Sequence, residues 1–250
     1  MSAALRTEHL TKAFGPFVAN SDITVTIENG ARHALIGPNG AGKTTFINLL
    51  TGYLRPTSGE IYLGPQPVTG LSQHARVKMG MTRTFQITSL FPGLTVLESV
   101  VMAVCERTDR GGAWWRATAA ETSAIDEARA ILATLHLEHC AGIVARNLPY
   151  GRQRLLEIAL ALATRPTLLL LDEPAAGIPS AEGAELLGVI SGLPRDMTIV
   201  FIEHDMNLVF RFAERITVLV RGTVFAEGTP EEIAVDREVK EVYLGESLNV

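Results

Sequence analysis

Two short segments of this 250-residue chain hold residue types whose spacing suits joint chemistry. Gly37-Pro38-Asn39-Gly40-Ala41-Gly42-Lys43-Thr44 fits the phosphate-loop pattern G-x-x-x-x-G-K-[ST], sited after an apolar run and before a helical pattern. The glycines let backbone N–H groups turn inward around phosphate oxygens, and the start of the next helix adds positive dipole. Lys43 is expected to reach the β and γ phosphates and Thr44 to offer its hydroxyl to Mg²⁺, with Thr45 counted among the binding residues. The second segment is the apolar run 168–171, which delivers Asp172 and Glu173 at its C-terminal end, where ligands collect in open α/β sheets. Asp172 is expected to hold Mg²⁺ through water and Glu173 to polarise an attacking water as general base. By themselves the two segments indicate a P-loop nucleoside triphosphatase, and a kinase or GTPase carries them equally well.

The elements that must position these groups follow from periodicity. Residues 23–27 and 31–36 read as strands joined by the turn Glu28-Asn29-Gly30, the second running straight into the glycine-rich loop. The pattern is helical over 43–50, stops at Gly52 and resumes as a strand at 60–63. From Leu94 to Ala163 strand signals vanish, and Val96, Leu97, Val100 and Val101, then Ile125, Ala128, Leu132 and Leu135, recur at helical spacing. The last third alternates again: strand 167–171, a helix from Ser180, strand 198–202, a helix from Asp205 and strand 216–220. Such alternation builds a parallel sheet with helices on both sides. Thr229-Pro230-Glu231-Glu232 is a capping box that opens a C-terminal helix.

Bulk properties remove several classes. A net charge of -5 and the lack of a long Lys/Arg block leave nucleic acid outside the expected partners. Cys105 and Cys140 are too few for a disulfide framework or a zinc site and are read as packing residues of a protein in a reducing compartment. The N-terminal residues 1–11 show no signal-peptide pattern, and no apolar run is long enough to span a bilayer, so any membrane role is expected to be peripheral. Trp114 and Trp115, between Arg110 and Arg116, are read as loop packing, with contact to lipid headgroups or a membrane partner as the alternative.

Three further segments narrow the class. Leu148-Pro149-Tyr150-Gly151-Arg152-Gln153-Arg154 precedes a helix that ends before Pro166, and it resembles the signature segment of ABC ATPases. Gln86 in Thr82-Arg83-Thr84-Phe85-Gln86 stands where that superfamily has its Q-loop glutamine, and His204 matches its switch histidine. More closely, 82–86, 90–98, 171–177 and Val242-Tyr243-Leu244-Gly245-Glu246 resemble the ATP-binding subunits of bacterial branched-chain amino-acid importers. The resemblance implies one α/β ABC ATPase domain over 1–250: a RecA-like P-loop core from 1–86 and 165–250, with a parallel sheet, a small antiparallel β part at the N-terminus and an inserted helical subdomain at about 87–164. It implies ATP and Mg²⁺ as cofactors, Phe14 stacked on adenine, Gln86 touching Mg²⁺ and reporting to the membrane subunit, and His204 bonded to the γ-phosphate. Leu148, Pro149, Tyr150, Gly151 and Arg152 then act in trans on the nucleotide of a second ATP-binding subunit in a heterodimer. Transmembrane permease subunits, a periplasmic solute-binding protein acting indirectly, and a peripheral position on the cytoplasmic face of the bacterial inner membrane complete that picture.

Two positions depart from the superfamily pattern. Pro149 stands where the signature serine bonds the opposite γ-phosphate, and proline supplies neither hydroxyl nor N–H. Pro179 stands where the D-loop aspartate belongs, and Arg152 replaces the signature glutamine. A soluble ABC ATPase of translation or repair is the rival reading, but the chain lacks tandem ATPase domains and a long coiled-coil insert. A regulatory module without hydrolysis is another, opposed by intact Glu173 and His204.

Overall fold

The computed structural model describes residues 3–84, 91–108 and 118–247, with side chains described for all of these except 118–121, 180–181 and 243–247. Gln86, Trp114 and Trp115 lie outside the described residues. The chain divides into two compact units, Met1–Thr82 with Thr167–Pro174 and Pro194–Val250, and Arg83–Pro166 with Ala175–Leu193.

The first unit holds two sheets. β1 (Ala3–Phe14), β2 (Phe17–Glu28), β4 (Ser58–Leu63) and the two-residue β5 (Gln66–Pro67) form an antiparallel sheet in the order β2-β1-β4-β5. The second sheet has the order β10-β9-β3-β8-β7-β6, from β3 (Arg32–Ile36), β6 (Met81–Arg83), β7 (Leu168–Asp172), β8 (Thr198–Ile202), β9 (Arg215–Val220) and β10 (Thr223–Gly228). Strands β9, β3, β8 and β7 run parallel, and β10 pairs back antiparallel on β9. β3 and β8 are buried along their whole length, β8 as a mostly apolar run and β3 with Arg32 and His33 buried beside Ala34, Leu35 and Ile36.

Helix α1 (Lys43–Leu50) joins the two sheets into one core. Phe46, Ile47, Leu49 and Leu50 are buried with Leu10, Ile23 and Ile61 of the first sheet and Leu170, Val200 and Leu219 of the second. Each such side chain contributes about 1.5–3 kcal/mol by leaving water. The C-terminal carbonyls of α1 are met by a buried guanidinium. Arg76 of α2 (Gln73–Lys78) donates to Leu49 O at 2.8 Å and to Thr69 O at 2.9 Å, and burial pushes its pKa down to about 10. α7 (Met206–Phe212) is capped by Asp205 and α8 (Pro230–Val235) by the Thr229–Glu232 capping box, and α9 (Arg237–Ser247) follows.

The second unit is helical. α3 (Val96–Arg107) starts at a Thr95–Glu98 capping box and buries Val96, Val100 and Val104, while α4 (Thr118–Thr134) buries Ala128 and Leu132. Glu127 of α4 accepts from Arg107 at 2.7 Å and from Arg165 at 2.9 Å. α5 (Tyr150–Leu162) and α6 (Ser180–Ser191) complete it. Ala175–Leu193, which includes α6, groups with the helical unit, where α6 neighbours α5.

A buried histidine stands in β3, four residues before the glycine-rich loop. His33 is 4% exposed, and its Nε2 shares a 2.7 Å hydrogen bond with Thr217 Oγ1, which in turn donates to Glu227. Burial first, and the charge of Arg215 second, lower its pKa from 6.5 to about 4. Because the folded state disfavours the charged ring, this contribution is complete above pH 6.5 and is lost as pH falls toward 4. It amounts to about 3 kcal/mol. Denaturant titrations at pH 7, 5.5 and 4.5 should show stability falling through this window, and His33→Gln should flatten the fall by about one bound proton.

Candidate functional site

The glycine-rich loop is the hinge between β3 and α1, and other backbone segments set its shape. Gly37 has φ 151°, and a Cβ there would lie 2.1 Å from Leu219 O of β9. Gly42 is left-handed at φ 95°, and its Cβ would lie 2.6 Å from both Ala19 O and Asn20 Nδ2 of β2. Only glycine fits either place. Gly222 N, in the turn between β9 and β10, donates to Ala41 O at 3.0 Å, and Gly222 O accepts from Ser21 N at 2.8 Å. Gly40, on the outer rim, would meet nothing within 4 Å if it carried a Cβ.

No side chain caps the start of α1, whose N-cap is Gly42. The helix therefore presents its positive end to the loop, an arrangement that suits an anion. Lys43 is 7% exposed, and its Nζ donates to Gly37 O and to Pro38 O, the latter at 3.0 Å.

Residues 39–45 form one wall of a cavity of about 290 Å³ whose remaining walls are Phe17, Ala19, Glu173 and His204. Glu173 follows β7 with φ 49°, and its N–H donates to Ile202 O at 3.1 Å. A left-handed glutamate costs about 1–2 kcal/mol, which is strain of the kind concentrated at functional sites. Its Oε1 shares a 2.9 Å hydrogen bond with His204 Nε2, both side chains being nearly half exposed. A carboxylate and an imidazole thus meet at the far side of a phosphate-sized cradle, a suitable base and donor for attack of water on a terminal phosphate.

Thr44 is exposed on the cavity wall, and Asp172 is half-buried at the end of β7. Among the described residues no cluster of His, Cys, Asp and Glu could hold a metal by itself. Thr44 lines the cavity and Asp172 does not; a hydroxyl and a carboxylate are the oxygen ligands that suit Mg²⁺, which keeps water and binds through substrate phosphates.

Phe14 lies at the tip of the β1–β2 hairpin, 47% exposed, with Lys12 Nζ 5.0 Å from its ring centre. Its cross-strand partner Phe17, which the sequence pattern did not single out, is the aromatic side chain on the cavity wall. The signal was present: Gly15-Pro16 between two phenylalanines is a two-residue hairpin turn that sets them side by side.

The signature residues belong to the helical unit, where Pro149, Gly151 and Arg152, but not Leu148 or Tyr150, line a separate cleft of about 310 Å³. Pro149 is the N-cap of α5 and Pro179 the N-cap of α6, and neither makes a side-chain cap bond. Both departures from the superfamily pattern therefore fall where a serine or aspartate would also have capped a helix. Leu148 is buried, and its carbonyl accepts from Gln153 Nε2 at 2.9 Å. Arg152 lies 3.7 Å from Glu185, and a Cβ on Gly151 would be 3.5 Å from Glu182. Tyr150 is held by Arg154, which donates to its hydroxyl at 3.0 Å and pairs with buried Glu157.

Comparison with known proteins gives this geometry its relatives. The family model described as ABC transporter matches residues 20–176, and that described as Branched-chain amino acid ATP-binding cassette transporter matches 223–248. The High-affinity branched-chain amino acid transport ATP-binding protein LivG of Escherichia coli (strain K12) is 40% identical over 248 residues, covering 95% of this chain and 96% of LivG. The solved ADP conformation of MJ1267, an ATP-binding cassette of an ABC transporter, superposes with a TM-score of 0.84 at 28% identity, covering 98% of this chain and 99% of that one. The dimeric structure of MJ0796, a bacterial ABC transporter cassette, gives 0.75 at 26% identity, covering 90% and 98%.

Proposed function

The chain belongs to the ABC transporter ATP-binding family, in its branched-chain amino-acid branch, and from that premise we propose that it is the ATP-hydrolysing subunit of an importer for branched-chain or related amino acids. The observation that carries this reading is the convergence of residues 39–45, Glu173 and His204 on one cavity in a chain matched to LivG over nearly its whole length.

In this reading the loop 37–42, Lys43, Thr44 and Thr45 grip the phosphates of ATP through backbone N–H groups, the Lys43 ammonium and the start of α1. Mg²⁺, held by Thr44 and Asp172 with Gln86, supplies charge neutralisation at the β and γ phosphates when bound. Glu173 takes the proton of the attacking water, and His204 donates to the γ-phosphate, so their mutual 2.9 Å bond opens to admit substrate. An aromatic side chain of the β1–β2 hairpin covers the adenine. Phe14 is the sequence-based choice, and Phe17 already lines the cavity.

Among the described residues no helix is long and apolar enough to cross a membrane. In the same reading, which the family match supports, the subunit works from the cytoplasmic face of the inner membrane, docked on permease subunits supplied by other chains. Exposed Phe91, at the start of the helical unit and five residues from Gln86, belongs to the docking surface. ATP sandwiched with a second ATP-binding subunit closes the pair and hydrolysis reopens it; the dimeric MJ0796 cassette supports such pairing.

Glu173→Gln should keep MgATP binding while lowering turnover by about 10²-fold or more. Steady-state phosphate release beside calorimetric binding checks this, and near-normal turnover would exclude Glu173 as the base. Uptake of labelled leucine by vesicles carrying the assembled complex tests the solute class separately from the ATPase.

Asymmetry between the two nucleotide sites is the second expectation. Every residue this chain gives its own nucleotide is intact, whereas Pro149, Arg152 and Pro179 alter what it lends to the other. A lost hydrogen bond to a charged oxygen costs about 1.5–3 kcal/mol, or about one to two decades in rate. Turnover measured with the general-base Glu changed to Gln in one subunit at a time should locate the faster site on this chain's loop. The reverse order would mean that Arg152 and the α5 dipole outweigh the missing serine.

A further inference from the structure

Under the glycine-rich loop sits a polar side chain to which neither the sequence motifs nor the proposed mechanism gives a task. Asn20 of β2 is fully buried (0% exposed). Its Nδ2 donates to Gly42 O at 3.2 Å, while its Oδ1 is buried and accepts no hydrogen bond among the described residues. An unmet buried acceptor weakens a fold, and an apolar residue of the same size would avoid it. Core packing therefore does not account for an amide here, and the bond to Gly42 is its one positive contribution.

That bond falls at an informative carbonyl. Gly42 O already accepts the first intrahelical bond of α1, from Phe46 N at 2.9 Å. A second donor on the same oxygen fixes the rotation of the Gly42–Lys43 peptide plane. Because the peptide is planar and trans, the Lys43 N–H points opposite to that carbonyl, out of the N-terminal end of α1. Gly42 itself is left-handed and pressed against Ala19 and Asn20, so β2 sets both its place and its orientation.

We propose that Asn20 is a positioning residue for the nucleotide: through the Gly42 carbonyl it aims the Lys43 N–H and the start of α1 at the bound phosphate. The proposal rests on the reading of the loop as the nucleotide site. It separates stability from binding in a way that a purely structural role does not, because removal of the amide relieves the unmet acceptor while releasing the loop.

The test is MgATP and MgADP binding by calorimetry, beside thermal unfolding without nucleotide, on the full chain carrying Asn20→Leu. The melting temperature should stay unchanged or rise, and affinity should fall about tenfold, the worth of one hydrogen bond. Asn20→Asp keeps the shape but sets a carboxylate against the Gly42 carbonyl, so it should bind at least as weakly as Asn20→Leu. Asn20→Ala, which cannot overpack the site, is read by the same criterion of affinity lost beyond stability. Wild-type affinity in Asn20→Leu or Asn20→Asp, or melting temperature and affinity falling in parallel in all three variants, overturns the proposal. Lys43→Ala is the control: strong loss of binding there upholds the loop as the nucleotide site whatever Asn20 does, and retained binding refutes both.

Discussion

A loop that offers its N–H groups to an anion cannot use the same groups to hold itself together, so neighbouring backbone must hold it. In this chain the support comes from β9, β2 and the β9–β10 turn. Leu219 O closes on Gly37, Ala19 O and Asn20 close on Gly42, and Gly222 bonds Ala41 on one side and Ser21 on the other. These contacts need glycine at Gly37, Gly42 and Gly222, where a Cβ would lie 2.1–2.6 Å from a backbone oxygen. α1 then projects from the clamped loop into the shared core, and its buried face ties the antiparallel sheet to the parallel one. The anion site and the core are therefore one mechanical unit, since a shift of either sheet moves a wall of the loop.

The chemistry sits opposite that clamp. Glu173 and His204 come from the ends of adjacent parallel strands, β7 and β8, and their pairing is a consequence of strand order. The bond between them, at 2.9 Å with both groups part-exposed, is weak enough to exchange for a phosphate and a water. The left-handed backbone at Glu173 fixes where its carboxylate can point. ATPase chemistry needs this economy: little covalent work falls to the protein, and position with charge does the rest.

The helical unit carries the altered half of the machinery. Proline at the N-caps of both α5 and α6 leaves the helix ends without side-chain acceptors, so the dipole and backbone N–H groups of α5 become its main offering to an anion. Arg152 adds a cation, held only loosely by Glu185 at 3.7 Å. In the proposed pair of cassettes the two sites would be unequal, because each would borrow from the other chain.

Local signals in the sequence by themselves determined the phosphate loop, α1 over Lys43–Leu50, β8 over Thr198–Ile202, the Thr229 capping box and the carboxylates after β7. Each of these depends on neighbours within a few residues: glycine at positive φ, an apolar run, a cap. β1 escaped because Arg6, Glu8 and His9 interrupt its apolar alternation and its bulges at His9 place that residue at positive φ. Phe17, Asn20, Leu219 and Gly222 escaped for a different reason. Their part in the site arises from backbone approaching backbone across as many as about 200 residues of chain, and no short-range propensity encodes such contacts. The same holds for α6, whose grouping with α5 is a long-range contact that exists only once both helices have formed. The sequence alone thus marked the groups proposed for the chemistry; tertiary structure decided what holds them still, because close packing between distant segments is a property of the assembled core.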